Sequence, residues 1–294
     1  MLKGYVINMD KDTERMETFK KNWSDIKTVE IERFPAIVGK NIRSSDKVSK
    51  YCQKYCSNGM IGCFASHLAV MELVVNNNLD QCLILEDDSY PVKNFDKRLT
   101  NIIQDNSIPK DFDMLLFGHI GETKPSWFSN FMRWLVFNNS REYKVINDNI
   151  IVPFQPLGTY AYLISQKGAK KILQHYNIIK YHVDYYIYTR NNIKLYAVQP
   201  FLVKTPNSST CLGEKHALDL SFIDHLQLFN NENNIGLTWY LNNVVCVVGG
   251  TNIRVWHVCL IIFIFFFTSL CGNGLLPIII IFLVIIYFIK QLSC

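Results

Sequence analysis

The sequence predicts an α/β fold, a sheet with helices on both faces, followed by a C-terminal membrane segment. Three observations carry this. Short apolar runs such as GYVIN at 4–8 and CLIL at 82–85 alternate along the chain with stretches whose apolar residues recur at helical spacing. Alternation of that kind builds a sheet covered on each side by helices. Finally, no Asp, Glu, Lys or Arg occurs from Val255 to Ile289, a run long enough for a membrane element.

The elements follow in order. Gly4 to Asn8 is a first strand, and Lys11 to Trp23 a helix with Met16, Phe19 and Trp23 on one face. Val29 to Ile37 alternates as a second strand, and the polar stretch Ile42 to Ser57 is a loop or a set of short helices. Ile61 to Val75 is a buried helix starting after Asn58-Gly59 and fading into Asn76-Asn77-Asn78. Cys82 to Leu85 is the next strand. Phe95 to Asp105 is a helix with Leu99, Ile102 and Ile103 inward, and Asp113 to Phe117 a strand closed by Gly118-His119. Trp127 to Phe137 (WFSNFMRWLVF) is an aromatic amphipathic segment suited to a core helix, a lid or a membrane interface. Strands at Ile150 to Phe154, Thr159 to Ile164 and Lys194 to Val198, with helices at Gln166 to Tyr176 and Asp184 to Thr189, complete the pattern. The chain therefore divides into a globular domain over 1–230, a juxtamembrane segment over 231–254 and a membrane hairpin or anchor over 255–290.

Composition excludes several classes. The net charge of +5 is mild and the basic residues are scattered, so no nucleic-acid partner is expected. Nine cysteines without a CxxC pair do not make a disulfide framework or a zinc ribbon, and reduced, mostly buried thiols are expected. Met1-Leu2-Lys3-Gly4 leads straight into a strand with no apolar leader. The C-terminal run is then the membrane-targeting element, and the globular domain faces the cytosol. Within the run, Val258 to Cys271 and Leu275 to Ile289 are separated by Gly272-Asn273-Gly274. Each stretch spans only about 21–23 Å as a helix. A hairpin with Arg254 and Lys290 on one face, or a single helix kinked near Pro277, fits.

The chemistry centres on Glu86-Asp87-Asp88, directly after an apolar strand. Adjacent carboxylates repel unless a cation or basic group answers them. In open α/β sheets, ligands bind beyond the carboxyl ends of strands. If the strand continues through the acids, Glu86 and Asp88 point the same way, a pincer of hard oxygens suited to Mg²⁺ or Mn²⁺ against a diphosphate. A solvated turn holding nothing is the alternative.

The segments YVINMD (5–10) with Glu14-Arg15, FPA (34–36) with Gly39, IGCFASHL (61–68), LILEDD (83–88) and GTYAYLIS (158–165) occur in this order. Together they resemble glycosyltransferase family 25, which includes lipooligosaccharide galactosyltransferases and collagen hydroxylysine galactosyltransferases. The resemblance covers about residues 1 to 210. It implies a GT-A-like nucleotide-sugar-binding sheet, a UDP-hexose donor (galactose or glucose), a hydroxyl acceptor on a glycan or hydroxylated protein, and inversion at the anomeric carbon. It also implies that Glu86 and Asp88 hold Mn²⁺ (or Mg²⁺), with Asp87 turned to the nucleotide or the backbone. Asn8 and Arg15 are placed at the nucleotide. Gly62, Ser66 and His67 are placed at the opening of the helix before the metal strand, where backbone N–H groups favour an anion, with a core histidine as the other role for His67. Inversion needs a general base, and Asp184 in HVD (182–184) is the candidate, with a helix N-cap as its other role. The chain departs from the family pattern at Val38, where an Asp is frequent, and after Pro200, where a Ser-Asp pair is absent. A catalytically inactive, GT-A-shaped binding or scaffold module at a membrane is the alternative function.

Overall fold

The computed structural model describes residues 1–120, 123–125, 141–154, 156–180, 182–188, 190, 192–206, 244–248 and 251–271. The aromatic segment 127–137, His216 (the late histidine that GT-A enzymes sometimes use to complete the metal shell) and the second apolar stretch 275–289 lie outside the described residues. The chain divides into two compact units, Met1–Leu218 and Asp219–Cys294.

In the first unit the elements are β1 (Leu2–Asn8), α1 (Thr13–Trp23), β2 (Val29–Pro35), α2 (Gly39–Ile42), α3 (Lys50–Tyr55), α4 (Asn58–Asn76), β3 (Gln81–Glu86) and β4 (Tyr90–Pro91). They continue with α5 (Phe95–Gln104), β5 (Met114–Leu116), β6 (Lys144–Asn147), β7 (Ile150–Val152), β8 (Ala161–Ser165), α6 (Gln166–His175), α7 (Val183–Tyr188), β9 (Leu195–Val198) and β10 (Val203–Lys204). Eight strands form one mixed sheet in the order β2-β1-β3-β8-β5-β9-β7-β6. β1 runs parallel to both β2 and β3, with Ile7 beside Glu86, so the first strand and the acidic strand end together. β8 lies antiparallel between β3 and β5.

Successive strand residues face opposite sides, and two cores result. Tyr5, Ile7, Cys82, Ile84, Tyr162 and Ile164 pack against α4, α6 and α7 on one face. Val6, Leu83, Leu85, Leu115, Phe117 and Leu163 pack against α1 and α5 on the other. Helices on both faces are thus as the alternation predicts. On β3 the alternation continues one step further and turns Glu86 toward α4.

α4 starts at Asn58, three residues earlier than the apolar pattern suggests, because Ser57 caps it by accepting from the Met60 N–H at 3.1 Å. Among the described residues α4 is long and apolar enough by composition to cross a membrane, yet Phe64, Val70, Met71 and Val74 are wholly buried in the sheet core. The expectation of reduced thiols needs correction. Cys52 and Cys56 form a disulfide. Cys52 lies in α3 and Cys56 is the residue that caps its C-terminal end in extended backbone, a four-residue spacing that is not a CxxC pair. Cys82 is a buried thiol, pushed by burial up to about 12.

In the second unit, β11 (Val244–Val248) and β12 (Thr251–Arg254) form an antiparallel hairpin leading into α8 (Val255–Cys271). The 17 residues of α8 include Ile262, Phe263 and Phe266, each more than 60% exposed.

Candidate active site

β3 ends at Glu86, and residues 87–88 form a turn in which the Ser89 N–H donates to the Glu86 carbonyl at 3.0 Å. Strand alternation therefore stops at Glu86 and cannot by itself aim Asp88, which corrects the premise of the pincer. The turn separates the three acids. The Asp87 side chain is 8% exposed, whereas Glu86 and Asp88 keep 29% and 27%.

Asp87 is held from the β1 side. Its Oδ2 accepts from Asn8 Nδ2 at 2.7 Å and its Oδ1 pairs with Arg15 on α1. Asn8 is itself fully engaged, donating also to the Asp12 carbonyl at 3.1 Å and accepting from Arg33 Nε at 2.9 Å. Asn8 thus orients Asp87. Arg15 reaches on to Asp88 Oδ2 at 3.3 Å, so it bridges the two aspartates. Burial pushes the Asp87 carboxyl up, and the Asn8 hydrogen bond and Arg15 charge only partly offset it.

Asp88 is the least satisfied of the three. Its Oδ1 is buried with no hydrogen-bond partner among the described residues. Burial and the neighbouring Glu86 charge push its carboxyl up to about 7, against the opposing pull of Arg15. A carboxyl so placed calls for a cation.

Glu86 faces α4. Its Oε1 accepts from the Thr159 hydroxyl at 2.6 Å and lies 3.4 Å from His67 Nε2. Burial pushes the carboxyl up, but the His67 ring, the Thr159 hydroxyl and the Arg15 charge outweigh it and leave it below the ordinary value. His67 is fully buried, and its Nδ1 shares a 2.9 Å hydrogen bond with the Tyr162 hydroxyl rather than with a backbone carbonyl. Cys63 sits one turn before His67. Its Sγ, a ring nitrogen of His67 and a Glu86 oxygen all lie within 4.8 Å of one another.

Gly62 and Ser66 do not open a helix, because α4 begins at Asn58 and both sit inside it. Gly62 allows backbone contact with α2: a Cβ there would fall 2.4 Å from the Ile37 carbonyl oxygen and 2.9 Å from Gly39 N. Ser66 Oγ donates to the Gly62 carbonyl at 2.7 Å and accepts from the Ile37 N–H at 2.8 Å. Their surroundings are those of packing residues. Asp184 lies in the first turn of α7, one residue inside its start, and not at the N-cap. Its Oδ2 accepts from the Gly158 N–H at 2.7 Å, where Gly158 adopts φ +87°, and the Tyr188 hydroxyl donates to the Gly158 carbonyl at 3.1 Å. The Asp184 charge reaches Cys63, whose thiol is raised first by burial, then by Glu86 and Asp184.

Arg33 was not foreseen in the sequence. A groove of about 250 Å³ beside the β1 end is lined by Asn8, Asp10, Thr13, Lys20 and Arg33. Arg33 holds the Asn8 side chain and pairs with Asp10 at 2.5 Å. The available signal was a lone arginine near the carboxyl end of the strand adjoining β1.

Residues 1–187 match the model of glycosyltransferase family 25 (LPS biosynthesis protein). A glycosyltransferase 25 family member of Aedes aegypti is 28% identical over 182 residues, 58% of this chain and 27% of that protein. Procollagen galactosyltransferase 1-B of Xenopus laevis is 24% identical over 181 residues, again 58% of this chain and 27% of that protein. The chain thus spans about a quarter of the length of these curated relatives. Mouse xyloside xylosyltransferase 1 aligns in structure with a TM-score of 0.33 and 12% identity, over 64% of this chain and 67% of that one. The family match covers well over half of the chain, and the chain belongs to glycosyltransferase family 25.

Proposed function

We propose that this chain is a GT-A-type, metal-dependent glycosyltransferase that moves a hexose, galactose or glucose, from a UDP-sugar to a hydroxyl acceptor on a glycan or hydroxylated protein, with inversion. The observation that carries the reading is Asp88: one buried carboxylate oxygen has no hydrogen-bond partner among the described residues, and the carboxyl is pushed up to about 7, beside Glu86 at the carboxyl end of a central strand. Such a group fits a hard divalent cation such as Mn²⁺ or Mg²⁺. Asp88 and Glu86 are the residues that would hold it. When bound, the ion neutralises the diphosphate leaving group.

The remaining residues divide the work. Arg15 and Asn8 fix Asp87, and so the whole turn, at the end of β1. The groove flanked by Arg33 and Lys20 takes the nucleoside end of the donor. Asp184 removes the acceptor hydroxyl proton as that oxygen attacks the anomeric carbon and the UDP oxygen departs. Its bond to the Gly158 N–H orients it for this.

The test is Mn²⁺-dependent UDP release from UDP-galactose and UDP-glucose, with and without Asp88→Ala. Release that needs Mn²⁺ and falls by about 100-fold or more in the variant is expected, since a lost charge-stabilising group typically costs that much. No release from common UDP-sugars together with no Mn²⁺ binding overturns the reading. One observation favours the second reading, a binding module without catalysis: Arg15 already answers Asp87 and Asp88 with its own charge. Under that reading UDP binds without Mn²⁺.

α8 and the apolar run after it anchor the chain to a membrane in this proposal. The Cys52–Cys56 disulfide favours an oxidising compartment over the cytosolic face expected from the sequence. Asn22, exposed within an Asn-Trp-Ser sequon, reports the side. A glycan at Asn22 after expression in a eukaryotic secretory system places the domain in the lumen, and a bare Asn22 with Cys52 and Cys56 reduced places it in the cytosol.

A further inference from the structure

Beside the acidic turn, a second group of side chains has the composition of a different kind of site. Cys63 and His67 stand at i and i+4 on α4, so they project from one face. β3 alternation brings Glu86 to that same face. The Cys63 thiol, a His67 ring nitrogen and a Glu86 oxygen lie within 4.8 Å of one another. His67 Nε2 is buried and has no hydrogen-bond partner among the described residues, although Glu86 Oε1 lies only 3.4 Å away. An orphaned ring nitrogen in a full core is destabilising unless something takes its lone pair or proton. The 3.4 Å separation equals the edge of a tetrahedral ion with Zn–N and Zn–O bonds, about 3.3–3.5 Å. Metal-binding histidines also have their other nitrogen fixed by an outer partner. Here that partner is the Tyr162 hydroxyl, at 2.9 Å from Nδ1. Thr159 fixes the Glu86 oxygen in the same manner, at 2.6 Å.

We propose that Cys63 Sγ, His67 Nε2 and Glu86 Oε1 form a three-ligand site for a zinc-class divalent ion, adjoining the donor-side cation at Asp88 and sharing Glu86 with it. A thiol and an imidazole in one set select a borderline or soft ion over Mg²⁺ or Mn²⁺, which prefer oxygen. Three protein ligands leave a fourth tetrahedral position for water or a substrate atom. Binding displaces the thiol proton to solvent, so affinity rises with pH. The site does not rest on the transferase reading, because its Cys63 and His67 ligands play no part in the donor-side cation site; Glu86 alone is common to both.

The experiment uses the purified full-length chain, freed of metal and titrated with Co²⁺ or Zn²⁺ alone. One equivalent of Co²⁺ gives a near-ultraviolet sulfur-to-cobalt charge-transfer band, and Zn²⁺ displaces it while excess Mn²⁺ does not. Cys63→Ser abolishes the band, and Tyr162→Phe weakens Zn²⁺ binding about 10-fold or more. Asp88→Asn leaves the band intact while removing Mn²⁺ binding, which separates this site from the donor site. In the wild-type chain Zn²⁺ protects Cys63 from alkylation, read by peptide mass spectrometry, and this arm stands even if Cys63→Ser fails to fold. The proposal is overturned by the absence of the band, by its survival in Cys63→Ser, or by alkylation of Cys63 at an unchanged rate with Zn²⁺ present. Any of these leaves His67 as a core residue held by Tyr162 alone.

Discussion

At Gly62 one hydrogen atom decides whether two helices can meet. Adding a methyl group puts carbon 2.4 Å from the Ile37 carbonyl oxygen, which belongs to backbone and has little room to yield. Overpacking of this kind costs about 1–3 kcal/mol. Gly62→Ala is therefore expected to lower the unfolding free energy by that amount, read by urea titration, while Mn²⁺ binding at Asp88 persists. Unchanged stability with lost nucleotide binding would return Gly62 to the ligand role that the family resemblance implies. The same contrast shows what was legible residue by residue. The acids stood out because adjacent like charges after an apolar strand demand an answer, but that Arg15 supplies part of it was not legible, since the resemblance placed Arg15 at the nucleotide. The partners of Asn8, His67 and Asp184 were not, because a hydrogen bond to Arg33, Tyr162 or Gly158 joins residues distant in the chain. Asp113 makes a similar point. It is fully buried, pairs with Lys171 and accepts from the Lys194 N–H at 2.8 Å. Its loss in Asp113→Ala strips two charged contacts, and a fall of about 2–3 kcal/mol in unfolding free energy is expected by denaturant titration.

Single elements are held in place by side chains from elsewhere. α7 carries Asp184 at one end and is tied at the other by Arg141, whose guanidinium donates to the carbonyls of Tyr188, Arg190 and Ile193 at 2.8, 2.7 and 2.9 Å. Burial pushes Arg141 down to about 10, so it stays charged at neutral pH. Arg141→Met leaves those carbonyls without their donor, at a cost of about 3 kcal/mol. Hydrogen exchange is expected to speed up in α7 and not in β1 or β3. Equal acceleration in all three would mean that Arg141 acts on global stability and does not position α7. α5 is tied in a comparable way: Asp96 accepts from the Lys27 N–H at 2.9 Å and from the Thr28 hydroxyl at 2.6 Å. Burial alone raises the Asp96 carboxyl, but these hydrogen bonds overcome it and leave it below its ordinary 3.8. The folded value lies below the unfolded one, so the contribution is present above the unfolded value and disappears as pH falls through the folded value. Between about pH 6 and pH 2.5, Asp96→Asn is expected to lose less stability than the wild type. An equal acid loss in both proteins would place the titrating groups elsewhere.

For the whole molecule, periodicity shows which segments are strands but not which strands adjoin. The placement of β8 between β3 and β5, antiparallel to both, depends on pairings 80 and 48 residues apart, Leu83 with Leu163 and Leu115 with Leu163. The charge-free run from Val255 to Ile289 stands out in the sequence, because a run without charges cannot be mistaken for a half-buried strand, but the boundary between the two compact units falls earlier, at Leu218. Among the described residues, both cores draw their buried members from positions 5 to 203. A chain ending at Leu218 is accordingly expected to unfold in one cooperative transition and to keep the Cys52–Cys56 disulfide. Mixed with phosphatidylcholine vesicles, it is expected to remain in the supernatant after flotation, whereas the full chain floats with the lipid. The exposed row of Ile262, Phe263 and Phe266 on α8 supplies the difference, since each large apolar side chain removed from water contributes about 1.5–3 kcal/mol. A truncated chain that floats equally well would move the membrane contact into the sheet unit. One that fails to fold would show that the second unit completes the core of the first.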